Sequence, residues 1–268
     1  MTVVEKVKSK DGTEIAYDRL GNGPALVLVG AAWNDRMSAA PLAQLLASDF
    51  SVYTYDRRGR GDSGDTPPYA VEREIEDLTA VIEAAGGSAY AFGVSSGAAL
   101  ALEATAAGAP ITKLAMYEPP YIVDDTRPPL PDDYIERLDQ LASEGKRNEV
   151  LRYFMTAAVG LPPEMAEQMA ASPMAQAMEP LAHTVSYDGR VMLRGGMSGK
   201  PLPKRYTDTA TVPVLVMGGG ASEAWMRNAA RGLVALLPDV QYRTLEGQDH
   251  AAPPDVLAPE LDEFFGQA

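Results

Sequence analysis

The chain has 268 residues, 46% of them hydrophobic, with 23 Lys and Arg against 37 Asp and Glu, a formal charge of -14 at pH 7. That is enough apolar material for one large domain or two small ones and too much for a disordered chain, while the acidity argues against a general nucleic-acid binder and against a strongly anionic substrate. Cysteine is absent and only two histidines occur, which excludes a disulfide scaffold, a cysteine nucleophile and a thiolate metal site, and argues against a His-rich zinc site.

In chain order, residues 1–10 carry charge with no apolar stretch behind them, so no secretory signal is expected. Thr2–Val7 and Thr13–Leu20 read as short strands joined through Asp11-Gly12, a hairpin signal. Ala25–Val29 is apolar without alternation, as a strand buried on both faces must be. Arg36–Ala47 has helical spacing, Phe50–Tyr55 reads as a strand, and Glu72–Ala85 as a helix with Ile75, Leu78, Val81 and Ile82 on one stripe. Ser88–Phe92 is a strand, Ser96–Ala107 an Ala-rich helix, and Ile111–Tyr117 a strand. This alternation predicts an α/β fold with a mostly parallel central sheet flanked by helices.

The pattern breaks at Glu118. Residues 119–206 hold Pro-rich loops and helical stretches, Asp132–Ala142, Asn148–Val159 and Pro163–Met178, with no convincing central strand. Strand Val212–Met217, helix Glu223–Leu237, strand Val240–Leu245 and helix Asp255–Phe265 then resume the pattern. The expected organisation is a core of residues 1–118 and 207–268 with a helical cap inserted at 119–206. Seven of the twelve methionines fall in the insertion. They suit packing onto the core, and equally a soft, adaptable lining for an apolar substrate. No apolar run approaches a membrane span, so a soluble, cytoplasmic protein with no membrane partner is expected.

Ser95 stands at the centre of Gly93-Val94-Ser95-Ser96-Gly97, between a strand and a helix. A serine at such a sharp turn projects its hydroxyl above the strand ends, and the small neighbours allow the backbone to pass closely. The next backbone N–H, on Ser96, can point at a developing oxyanion. Ser95 is therefore the candidate nucleophile.

With this elbow the chain resembles the α/β-hydrolase family from Ala25 to Phe265. The resemblance rests also on strand Leu26–Val29 ending in Gly30-Ala31-Ala32, on the segment Tyr55-Asp56-Arg57-Arg58-Gly59-Arg60-Gly61-Asp62-Ser63-Gly64, and on the C-terminal strand leading to His250. It implies the α/β-hydrolase fold, a cap where the insertion lies, and a serine, an acid and a histidine in that order. It makes His250 the base and Asp56, Arg57 and Arg60 chiefly structural. The other histidine, His183, belongs to the cap, as packing or as pocket lining. The second oxyanion donor is expected from the backbone of Ala31 or Ala32. Trp33 and Asn34 would lie near the pocket mouth, and Met155 in the pocket.

The acid stays open among four readings. The family's usual position falls on Ser222, which cannot carry charge and is a candidate N-cap. Glu223 follows it. Glu118 ends a strand immediately before the cap. Asp188 lies in the cap. The fourth reading is a Ser–His pair with no charged acid. The expected activity is a serine hydrolase of the esterase or lactonase kind. It would cleave a small, mainly apolar substrate through an acyl-enzyme, with no cofactor and no metal. The rivals are acyl transfer, cyclisation, a lyase or an epimerase on the same scaffold, and a non-catalytic small-molecule receptor. Gly59–Gly64 is not followed promptly by a helix, so it is no dinucleotide fingerprint.

Overall fold

The strands that read as continuous apolar runs form the centre of the sheet. In the computed structural model, which describes residues 4–209 and 211–266, β1 (Glu5–Lys8), β2 (Glu14–Leu20), β3 (Ala25–Val29), β4 (Ser51–Tyr55), β5 (Ala89–Val94), β6 (Ile111–Tyr117), β7 (Val214–Gly219) and β8 (Val240–Leu245) make one eight-stranded sheet in the order β1-β2-β4-β3-β5-β6-β7-β8. β1, β2 and β4 pair antiparallel; every other pairing is parallel. The expected strand start at Thr2 and Val3 lies outside the described residues. The Asp11-Gly12 link is a five-residue loop, closed by a Ser9 N–H bond to the Thr13 carbonyl (2.8 Å), with Gly12 at φ +88°.

Alternate residues of a strand face opposite sides of a sheet, and both sides here are apolar. Val27, Val29, Ala91, Met116, Val214 and Val216 face α2 (Val71–Ala84), α3 (Ser96–Ala106) and α10 (Ala224–Leu236). Leu26, Leu28, Phe92, Ala115, Leu215 and Met217 face α1 (Ala40–Leu46) and α11 (Pro254–Gly266). α3 is buried over Ser96–Thr105, which accounts for its many alanines: small side chains let the helix approach sheet and cap closely.

The cap lies between β6 and β7. It comprises α4 (Tyr134–Ser143), α5 (Arg147–Tyr153), a π-helical turn at Phe154–Val159, α6 (Pro163–Ala170), α7 (Pro173–Met178), a 3-10 turn at Glu179–Thr184, α8 (Val185–Gly195) and α9 (Arg205–Thr209). The expected single helix over Pro163–Met178 is two, because Ser172 caps a new helix that begins at Pro173. Likewise Arg36–Ala47 divides into a 3-10 turn and α1. α8 lies outside the helical stretches expected in the insertion. It is helical because Val185, Val191 and Met192 pack inward, and Gly189 lies where a Cβ would sit 2.5 Å from Ile135 Cδ1. Among the described residues, no helix is long and apolar enough to cross a membrane.

Candidate active site

Three non-glycine residues of the described chain have positive φ: Trp33 (63°), Ser95 (55°) and Glu118 (45°). They follow β3, β5 and β6, which are neighbours in the sheet. Such backbone costs on the order of 1–3 kcal/mol per residue and persists only where the surroundings impose it. Around Ser95 the imposition is steric. A Cβ on Gly93 would lie 2.5 Å from the Gly97 carbonyl oxygen, and one on Gly97 would lie 2.2 Å from that of Val29. The Ser95 N–H donates to the Tyr117 carbonyl at 2.9 Å, which ties the elbow to the strand that delivers Glu118.

Glu118 is 1% exposed, and its carboxylate is held by two elements. Oε1 accepts the Gly219 N–H at the end of β7 (2.7 Å), and Oε2 lies 2.9 Å from His250 Nδ1. Burial alone would raise its pKa, but the bonds from His250 and Gly219 outweigh it and hold the carboxyl below its usual range. An ionised Glu118 makes Nδ1 the protonated nitrogen and leaves Nε2 as an acceptor. The His250 side chain is 44% exposed. Its neighbour Asp249 takes no part in this bond: its Oδ1 accepts the Ala251 N–H at 2.9 Å, and its carbonyl accepts the Tyr117 hydroxyl.

The other acid candidates have other partners. Glu223 Oε2 accepts the Trp225 indole N–H at 2.6 Å. Glu223 also occupies the N-cap position of α10 that Ser222 was a candidate for, without a side-chain cap bond. Asp188 is 2% exposed. It takes Arg57 Nη1 (2.6 Å), Arg60 Nη2 (2.7 Å) and the Ser96 hydroxyl (2.7 Å). The two arginine contacts lower its pKa against the burial that would raise it.

Asp56, Arg57 and Arg60 are buried, as a structural role requires. Arg57 also bonds Glu74 at 2.6 and 2.8 Å. Asp56 accepts the backbone N–H groups of Arg36 (2.7 Å) and Asp62 (2.9 Å). Gly61, at φ +49°, leaves no space for a Cβ beside the Asp56 carboxylate.

A cavity of about 690 Å³ opens between the sheet edge and the cap, lined by Ser95, Ser96, Ala32 and His250 together with Met155, Met169, Met192, Met197, Met226, Phe154 and Trp225. Asp188, Ser222, Glu223 and Asp249 also reach it, and none of the described residues lining it is Lys or Arg. Met155 is in the lining as expected. Trp33 and Asn34 are not among the lining residues, and His183 takes the packing role, one of its two expected ones. Trp33 packs edge-on to Phe154 at 5.8 Å. Asn34 turns its Oδ1 back to the Ala31 N–H at 3.1 Å, so Asn34 braces its own loop and the Ala31 N–H is taken. The His183 ring packs edge-on to Tyr187. Of the two expected oxyanion donors, Ala32 faces the cavity, and its N–H donates to Ser96 Oγ at 2.9 Å. The Ser96 side chain and its bond to Asp188 escaped sequence reasoning because 92 positions separate them.

Comparison with known proteins agrees with this architecture. The chain is 55% identical to an alpha/beta hydrolase of Sphaerobacter thermophilus over 97% of its own length and 100% of that chain, with a TM-score of 0.90. It is 33% identical over 107 residues to an uncharacterized hydrolase, YraK, of Bacillus subtilis, and 34% identical over 117 residues to N-formylmaleamate deformylase of Pseudomonas putida. These two matches cover 38% and 42% of this chain but only 40% and 44% of the length of those relatives. The sequence model of the alpha/beta hydrolase family matches residues 16–260, and the chain belongs to that family.

Proposed function

We propose that the protein is a serine hydrolase that cleaves a small, mainly apolar carboxylic ester or lactone through an acyl-enzyme. The observation that carries this reading is the 2.9 Å contact between His250 Nδ1 and Glu118 Oε2, at a cavity that Ser95 also lines.

His250 Nε2 takes the Ser95 hydroxyl proton as Oγ attacks the substrate carbonyl carbon. Glu118 remains ionised, holds the ring, and stabilises the imidazolium. The tetrahedral oxyanion is received by the backbone N–H of Ser96, at the N-terminal end of α3, and by that of Ala32 once it exchanges its bond to Ser96 Oγ for one to the oxyanion. As the C–O bond breaks, His250 returns its proton to the leaving oxygen. Water then attacks the acyl carbon with His250 again as base, and Ser95 is released. The methionine-lined cavity favours alkyl or ring substituents of varied shape, and the acidic groups at its wall disfavour a substrate carboxylate. One relative is an N-formylmaleamate deformylase, and the same groups suit a neutral amide of similar size. We take residues 119–206 as the cap over this site and the protein as cytoplasmic, in keeping with its lack of cysteine.

The test is hydrolysis of p-nitrophenyl acetate and butyrate by the wild type, Ser95→Ala and His250→Ala. Each variant is expected to lose at least about 10³-fold in kcat, and a fluorophosphonate is expected to add its mass to Ser95 in the wild type alone. Equal activity in all three proteins sinks the reading.

A further inference from the structure

We propose that Tyr117 is a positioning residue that sets the base against the nucleophile: its main chain holds the Ser95 elbow, and its hydroxyl holds the loop that carries His250. This rests on the reading of Ser95 and His250 as nucleophile and base.

The His250 loop needs an outside hold. Residues 246–251 are each exposed or half-buried, so the loop is not anchored by burying a side chain of its own. The His250 side chain is 44% exposed, and Glu118 fixes it at one atom, Nδ1. A single bond leaves the ring free to tilt about it, so the aim of Nε2 depends on where the main chain places the residue. Two bonds from other elements fix consecutive carbonyls of that main chain. The Ala221 N–H, beyond β7, donates to the Gln248 carbonyl at 2.8 Å. The Tyr117 hydroxyl, from the end of β6, donates to the Asp249 carbonyl, which belongs to the peptide that joins Asp249 to His250.

The same tyrosine holds the nucleophile. Its carbonyl accepts the Ser95 N–H at 2.9 Å, and the acid, Glu118, is the next residue in the chain. A shift of β6 therefore carries all three groups together and preserves their spacing. Packing alone does not call for the hydroxyl. Tyr117 is buried, its register neighbours on β5 and β7 are Val94 and Met217, and Ala115 and Leu215 share its face. A phenylalanine would fill this space. A buried hydroxyl is costly unless it finds a partner, and the partner found here stands one residue before the base. Burial, with Glu118 and Asp249 nearby, raises the pKa of the phenol, so it remains a donor at neutral pH.

The experiment compares the wild type with Tyr117→Phe, which removes the hydroxyl and leaves the ring and the backbone carbonyl. Tyr117→4-aminophenylalanine restores a donor at the same place. Tyr90→Phe, on β5 and packed against the same cluster, controls for loss of a phenol hydroxyl. Two readouts are taken. The first is hydrogen–deuterium exchange of segments 246–252 and 93–97, which needs no activity. The second is kcat and KM on p-nitrophenyl butyrate, with the rate of Ser95 phosphonylation.

In Tyr117→Phe, exchange in 246–252 is expected to accelerate about tenfold, with 93–97 unchanged because the carbonyl bond to Ser95 stays. Its kcat should fall about 10–100-fold, as misplacement of a reacting group by about an ångström does, with KM within about twofold. Phosphonylation should slow in step. Tyr117→4-aminophenylalanine should return kcat to within about fivefold of the wild type, and Tyr90→Phe should match the wild type in every readout. A lower melting temperature for Tyr117→Phe with kcat and exchange in 246–252 unchanged overturns the proposal and leaves the hydroxyl as a satisfied core group. Equal losses in Tyr117→Phe and Tyr117→4-aminophenylalanine overturn it too. If Tyr117→Phe fails to fold, the wild type decides: a nuclear Overhauser contact between the Tyr117 hydroxyl proton and the His250 α-proton carries the proposal, and its absence overturns it. Failure of the fluorophosphonate to label the wild type, with no hydrolysis, overturns the serine-hydrolase reading instead. The exchange data then decide alone whether the Tyr117 hydroxyl holds the loop.

Discussion

The two walls of the cavity are built on opposite principles. The sheet edge is rigid by construction. Its three positive-φ residues, Trp33, Ser95 and Glu118, lie beyond the ends of three neighbouring strands; Ser95 and Glu118 are pinned by backbone bonds, and Ser95 also by glycines with no room for a side chain. The cap wall has short helices, a π-helical turn and side chains such as Met155, Met169, Met192 and Met197. Methionine is unbranched and adopts many shapes at little cost. Bond-making groups must be held within fractions of an ångström, whereas a substrate wall only has to exclude water and fill space. Strain is concentrated on one wall and softness on the other. Asp188 is the exception: a buried charge on the soft wall that reaches across to the rigid one.

If the sheet edge is the part that acts, the sharpest break comes from Glu118→Gln. The amide keeps the size of the side chain and an oxygen for the Gly219 N–H. It loses the charge that stabilises the imidazolium and favours the wrong tautomer of His250. The expected result is a fall of about 10²–10⁴-fold in kcat on p-nitrophenyl butyrate with KM within about threefold. A loss under tenfold would mean that Ser95 and His250 work without a charged acid.

The rigid wall was also the more legible in sequence. β3 and β6 have the bounds read from their apolar runs, because a strand buried on both faces writes its burial directly into its composition. Ser95 and His250 were reachable because the elbow motif is local and histidines are scarce. The acid was not. Glu118, Glu223 and Asp188 were all acidic residues near expected strand ends or in the cap. Choosing between them needs the relation of the β6 end, the β7 end and the loop after β8, which no local pattern encodes. α8 was missed for a related reason. Asp188-Gly189 has turn chemistry, and the helix exists because the glycine fits against Ile135 and the acid against two arginines more than 120 positions away.

A smaller effect is expected on the soft wall. Met155 is 9% exposed and lines the cavity. Met155→Ala should enlarge the pocket and shift the ratio of kcat/KM for p-nitrophenyl octanoate over acetate upward by about 3–10-fold, in the range one or two methylenes command in an apolar pocket. The Ser95 phosphonylation rate should hardly move. A large fall in phosphonylation with no change in chain-length preference would show that this methionine braces the catalytic edge, and the contrast between the walls would fail there.

The smallest effect concerns stability in acid. The Glu118 carboxyl lies below its usual value near 4.5, held down by His250 and the Gly219 N–H in spite of burial. A carboxyl with a lowered folded-state pKa contributes stability that is complete above the unfolded-state value and is lost as pH falls through the folded-state value. Asp188 has the same sign. The wild type should therefore lose melting temperature as pH drops from about 6 to about 3. Glu118→Gln, lacking one of these carboxylates, should lose less over the same interval, so that the two melting curves converge toward low pH. Parallel curves across that range would mean that Glu118 is not stabilised as the anion in the folded protein, and the rigid wall would then owe its geometry to backbone constraint alone.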